Sequence, residues 1–265
     1  MTKASTSSEL AHEDTGGGGR LMVLLPGAGD LRSEHRFLSS LLAAEGFRVV
    51  TADLPGHGDS APATEYTVEA TANAIIDLVE SLDAGPAVVV ACSFAPAGAV
   101  WAAAERPELF GGIVALSPHL HADDSFKARA ANIALMALLR GPWAGAMWAG
   151  FYRGWYKTNP PDDLDQELAR LKTMFSDPAR RKAARQSLTA HRDGVAERIA
   201  RLGVPTLTVF GSMDDHFDDP VAVAESTATE LNGDGLVVEG AGHYPHVEQP
   251  EAVAAAIVAF VNGLG

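Results

Sequence analysis

The chain has 265 residues, 47% of them hydrophobic, and a formal net charge of −14. That is enough apolar material for one large domain, or for a domain carrying an insertion. The acidic surplus excludes nucleic acid as the natural partner, no run approaches the 18 or so apolar residues of a membrane span, and the single cysteine excludes an internal disulfide or a cysteine-built metal centre.

Residues 1–20 are polar, include a run of four glycines and lack the apolar core of a secretion signal. They read as a flexible segment of a cytoplasmic protein, with one short edge strand within residues 9–14. Residues 21–25 are continuously apolar, as in a strand buried on both faces. The loop that follows, Pro26-Gly27-Ala28-Gly29-Asp30, leaves backbone amides free to point outward. Apolar residues at helical spacing (Phe37, Leu38, Leu41, Leu42) come next, stopped by Gly46. A strand is expected at 47–52, a helix at 67–82 and a strand at 87–91.

That strand ends in Ala91-Cys92-Ser93-Phe94-Ala95-Pro96, and an alanine-rich helix over residues 97–105 follows at once. A buried strand turning sharply into a helix presents one side chain at the sheet edge, and the residues two before and two after it must be small. Centred on Ser93 the flanks are Ala91 and Ala95. Centred on Cys92 they are Val90 and Phe94, which are too bulky. Serine is therefore the candidate nucleophile.

Residues 112–116 read as another strand. Residues 119–203 then break the alternation with helical stretches near 124–140, 142–156, 161–175 and 178–191, prolines standing where several would start. This segment holds fourteen of the twenty basic residues against nine acidic ones, whereas residues 204–265 have ten acidic residues and no lysine or arginine. Solvated helix faces account for the asymmetry; a field drawing anionic substrates to the middle of the chain is the alternative. Alternation resumes with a strand at 206–210, a helix at 220–231, a strand at 236–239 and a helix at 250–262. Strands alternating with helices give a mostly parallel, doubly wound α/β sheet, with ligands bound at the strands' carboxyl ends.

Three loops carry the chemistry. The Ser93 turn resembles the Gly-x-Ser-x-Gly nucleophile elbow of the α/β-hydrolases, with alanine in place of both glycines. Gly211-Ser212-Met213-Asp214 resembles that family's acid loop. Gly242-His243-Tyr244-Pro245-His246-Val247-Glu248-Gln249-Pro250 resembles its histidine loop and is the most specific of the three. Residues 53–60, Asp-Leu-Pro-Gly-His-Gly-Asp-Ser, match a structural loop of the same family, which makes His57 structural. The resemblance implies an α/β-hydrolase fold, with its core at 21–118 and 204–265 and an inserted helical lid at 119–203. It implies a Ser93, Asp214 and His243 triad, an oxyanion hole from the amides of Ala28 and Phe94, and no cofactor or metal. Asp215 and, remotely, Asp123 are the other candidate acids; His246 is expected to hydrogen-bond within its loop. His119, His121, His191 and His216 have no motif and read as surface or packing residues.

Trp143, Trp148, Phe151, Tyr152 and Trp155 cluster in the helical segment, either as its packed core or as the lining of an apolar pocket. The expected partner is a small molecule with an apolar or aromatic part, and the expected reaction is carboxylic ester hydrolysis. A thioesterase, a lactonase or a ligand-binding protein on a hydrolase scaffold are the alternatives.

Overall fold

The computed structural model describes residues 9–122 and 126–264. Seven strands form one sheet: β1 (His12–Asp14), β2 (Leu21–Leu25), β3 (Arg48–Ala52), β4 (Ala87–Cys92), β5 (Phe110–Leu116), β6 (Thr206–Gly211) and β7 (Asp234–Val238), in the spatial order β1-β3-β2-β4-β5-β6-β7. All neighbours pair in parallel except β1, which runs antiparallel to β3. Residues 12–14 thus form the short edge strand expected within residues 9–14 of the otherwise flexible segment 1–20. Thr15 N–H donates to Val49 O and Val49 N–H to Thr15 Oγ1, fastening the glycine run as well. The rest of that expectation, at residues 1–8, lies outside the described residues.

The continuous apolar strands are buried on both faces, and alternate residues serve different cores. Met22, Leu24, Val88 and Val90 pack with α1 (Arg36–Ala44) and the carboxy-terminal helix α11 (Pro250–Asn262). Leu21, Val23, Leu25 and Val89 pack with α2 (Val68–Leu82) and α3 (Ala95–Glu105). Thr67 caps α2, its hydroxyl accepting from Ala70 N–H.

Between β5 and β6 no strand occurs among the described residues. The chain instead forms α4 (Phe126–Leu138), α5 (Ala144–Gly154), α6 (Leu164–Ser176), α7 (Pro178–Leu188) and the short α8 (Val195–Ile199). Trp148, Tyr152, Tyr156 and Phe175 of this stretch continue the first core outward from the sheet. After β6 come α9 (Pro220–Glu230), then β7, and a single turn of helix, α10 (Pro245–Glu248), immediately before α11.

Candidate active site

Ser93 occupies the turn between β4 and α3 with φ +57°, a left-handed conformation costly for a residue with a Cβ. Two bonds hold it there: its N–H donates to Leu116 O at 2.9 Å and its carbonyl accepts from His119 N–H at 2.8 Å. Ala91 and Ala95 are fully buried on either side. Pro96 lies in the first turn of α3, where its missing N–H is harmless.

The loop after β2 lies against this turn. A methyl group on Gly27 would stand 3.3 Å from Ser93 Cβ, a tight contact that shows how closely the loop approaches the turn. Neither Ala28 N–H nor Phe94 N–H donates to a protein acceptor among the described residues, and both residues are buried. The two amides are thus available to an incoming oxygen.

At the end of β6, Asp214 is buried and accepts from two imidazoles. His243 Nδ1 lies 2.8 Å from Oδ2, and His216 Nδ1 lies 3.0 Å from Oδ1, with His216 N–H adding a third bond at 3.1 Å. Burial pushes this carboxyl up, but the charge and hydrogen bonds of His243 and His216 outweigh it and hold the group far below the usual carboxylate range. An ionised carboxylate only accepts, so Nδ1 of His243 carries the hydrogen and Nε2 is left as the basic nitrogen. No hydrogen bond joins Ser93 Oγ to His243 Nε2 in this state; such contacts are often long without substrate.

Of the alternative acids, Asp215 points outward to Lys157 Nζ at 2.7 Å, and Asp123 lies outside the described residues. His57 is buried, its Nδ1 3.0 Å from Pro55 O, a local contact within its turn. His246 does not bond within its own loop, contrary to expectation. Its Nε2 lies 3.0 Å from Glu34 Oε1 and its ring packs on His35 at 5.0 Å, because α10 turns it inward against the turn preceding α1.

His216 and His119 both pack against the candidate base, and His216 is bonded to the candidate acid as well. The His216 ring packs on His243 with centroids 3.9 Å apart, and the His119 ring lies 5.7 Å from both. Burial, then the His243 charge, lower the His216 pKa. Burial, followed by the neighbouring imidazoles, holds His119 down at about 3, so it is neutral. The position of His216, two residues after the acid, was a local signal that could have revealed it.

The five aromatic residues divide. Trp148 and Tyr152 are fully buried packing residues, and Trp155 is half-buried with its ring 5.9 Å from that of His243. Trp143 and Phe151 are 55% and 37% exposed and do not line the cleft between α1 and α6. Trp143 precedes α5 and Phe151 lies within it, on a helix whose inner face is filled by the packing of Trp148 and Tyr152. The cleft, of about 840 Å³, is lined by Arg32, Arg36, Arg170 and Met174 and includes none of the triad candidates.

The helical stretch is fastened to the histidine loop. Trp155 O accepts from His243 N–H at 3.1 Å. Glu248 accepts from Gly242 N–H at 2.6 Å through one oxygen, and through the other from Lys157, Thr158 and Asn159 N–H at 3.0, 2.9 and 3.1 Å.

A mostly parallel sheet with a strained serine turn, and with an acid and a histidine at the ends of later strands, defines a hydrolase of the α/β class. The chain belongs to the alpha/beta hydrolase family, whose sequence model matches residues 22–256. Among curated relatives, a pimeloyl-[acyl-carrier protein] methyl ester esterase of Neisseria meningitidis is 28% identical over 82% of this chain and 69% of its own length. A 2-succinyl-6-hydroxy-2,4-cyclohexadiene-1-carboxylate synthase of an Enterobacter species is 26% identical, covering 77% and 78%. A thermophilic esterase from Thermogutta terrifontis superposes with a TM-score of 0.80 at 24% identity, over 97% of this chain and 94% of the other, a likeness of fold. No helix among the described residues is long and apolar enough to cross a membrane.

Proposed function

We propose that the protein hydrolyses carboxylic esters of small molecules through an acyl-serine intermediate, with residues 119–203 acting as a lid. The observations that support this reading are the 2.8 Å contact between His243 Nδ1 and buried Asp214, and the left-handed turn that holds Ser93 at the end of β4. His243 Nε2 takes the Ser93 proton as Oγ attacks the ester carbonyl. The amides of Phe94 and Ala28 receive the negative oxygen, a contribution of about 2.7–4 kcal/mol per donor in comparable sites. Collapse expels the alcohol, protonated by His243. A water then repeats the sequence, releasing the acid and restoring Ser93.

The named activity of the Neisseria relative, a methyl ester esterase, supports the bond type. Trp155 stands at the rim of the site with its ring toward His243, which favours a substrate bearing an apolar or aromatic part. The test is a panel of matched ester, thioester and lactone substrates assayed with the wild type and Ser93→Ala. The ester is expected to give the highest kcat/KM, with turnover of all three lost in the variant. Undiminished ester turnover by a folded Ser93→Ala protein contradicts the reading.

A further inference from the structure

Arg192 lies in the segment between α7 and α8, inside the proposed lid and next to the candidate nucleophile. Its guanidinium stands 4.9 Å from the ring centroid of Phe94, the residue after Ser93. Nε donates to His119 O at 3.0 Å, and Nη1 donates to Ala190 O. His119 in turn donates its N–H to Ser93 O, so Arg192 is joined to the serine turn through a single residue.

What distinguishes this arginine is its position: of the arginines that form no ion pair among the described residues, which include Arg140, Arg181 and Arg185, it is the one stacked on the ring next to Ser93. Arg198 also covers an aromatic ring, that of Trp101 at 3.7 Å, but it is neutralised by Glu105 at 3.1 Å. Arg32, Arg36 and Arg170 on the cleft between α1 and α6 are each paired with a carboxylate. Arg192 has no carboxylate partner among the described residues, and burial lowers its pKa to about 10 while leaving it charged at neutral pH. A half-buried cation without a counter-ion is costly to keep. Nη2 makes no hydrogen bond among the described residues and is not one of the buried atoms without a partner, so part of the guanidinium fork is still open to a ligand. The segment around it carries fourteen of the twenty basic residues of an otherwise acidic chain, a field that favours entry of an anion.

We propose that Arg192 binds a carboxylate carried by the substrate, so that the enzyme selects esters with a second, anionic group. The planar fork suits a carboxylate, and stacking on Phe94 fixes its orientation beside the reacting centre. This rests on the ester-hydrolase reading above for its turnover arm only.

The experiment compares a dicarboxylic acid monoester, with its free carboxylate, against the corresponding dimethyl ester. The wild type is expected to favour the monoester in kcat/KM, and Arg192→Gln to lower that preference about tenfold or more. Arg192→Lys, which keeps the charge without the fork and the packing volume more closely, is expected to fall between them and serves as the measurement if the glutamine variant does not fold. An unchanged preference in either folded variant overturns the proposal. Calorimetric titration of Ser93→Ala protein with the monoester separates the two readings. Binding that is lost when Arg192→Gln is added, in an enzyme that turns over neither ester, keeps the carboxylate site and removes the ester activity. Ester turnover with an unchanged preference does the reverse.

Discussion

Glu34 and His246 meet in the interior, Oε1 and Nε2 3.0 Å apart, with both side chains fully buried. The other Glu34 oxygen accepts from Gly27 N–H at 3.0 Å. One carboxylate therefore ties the loop bearing Ala28 to the loop bearing His243. Burial pushes the Glu34 carboxyl up, but the close His246 imidazole and the charges around it bring it down to about 2. Glu34→Gln keeps the shape and removes the charge. The variant is expected to lose about 3 kcal/mol of stability, as when a buried pair is broken. Its kcat is expected to fall tenfold to a hundredfold, by about the effect of misplacing a catalytic donor, with KM little changed. Steady-state kinetics and urea unfolding read both; a fall confined to stability would make Glu34 a packing residue only.

Asp30 lies beside this pair and takes the opposite protonation state. Its oxygens are bonded by Tyr244 OH at 2.7 Å and approached by Trp148 Nε1 at 3.4 Å. Burial and then the charge of Glu34 raise its pKa well above the ordinary 3.8. The folded protein thus holds a proton there that the unfolded chain releases, and stability must fall as pH rises above that ordinary value. One such proton contributes up to about 1.4 kcal/mol per pH unit. Asp30→Asn is expected to flatten the decline in stability between about pH 5 and pH 8, measured as urea midpoints. An equal slope in variant and wild type would show that Asp30 is ionised in the fold.

Asp214 serves two imidazoles but orients one base. Asp214→Asn is expected to lower kcat by about 10⁴, the loss seen when a triad histidine takes the wrong tautomer. His216→Gln leaves the Asp214–His243 bond in place and is expected to cost less than about tenfold. Comparable losses in the two variants would show that His216 is as necessary to the proton transfer as the Asp214–His243 bond.

Glu248 receives four backbone N–H groups, three of them from residues 157–159 at the end of the α5 segment. Each amide left unsatisfied costs about 1–3 kcal/mol. Glu248→Ala is expected to lose at least about 3 kcal/mol and to open residues 157–159 to limited proteolysis before the core unfolds. Cleavage elsewhere first would mean that this clamp does not hold residues 157–159 to the histidine loop.

Much of this arrangement was legible in local sequence. Helix α11 spans residues 250–262 as expected, because Pro250 sets its first turn and an apolar stripe runs its length. The Ser93 turn was readable from its small flanks, and Asp214 and His243 from loops at strand ends. Other parts depend on distant segments meeting. Asp30 and Tyr244 are 214 residues apart, and nothing in the polar run from Asp30 to Arg36 announces two buried carboxylates. Strand β1 was half-hidden because only three residues pair, and its polar sequence, His-Glu-Asp, has no apolar alternation. The aromatic cluster was ambiguous for a related reason: clustering in sequence does not say which of Trp143, Trp148, Phe151, Tyr152 and Trp155 would be buried and which exposed.

The most direct test of the account is active-site labelling with a fluorophosphonate, followed by peptide mapping of wild type, His243→Ala and Ser93→Ala. A serine activated by the Asp214–His243 pair predicts one phosphonylated residue, Ser93, labelled at least about a hundredfold more slowly in His243→Ala. Absence of label on Ser93 in the folded wild type, or equal labelling rates with and without His243, would contradict it.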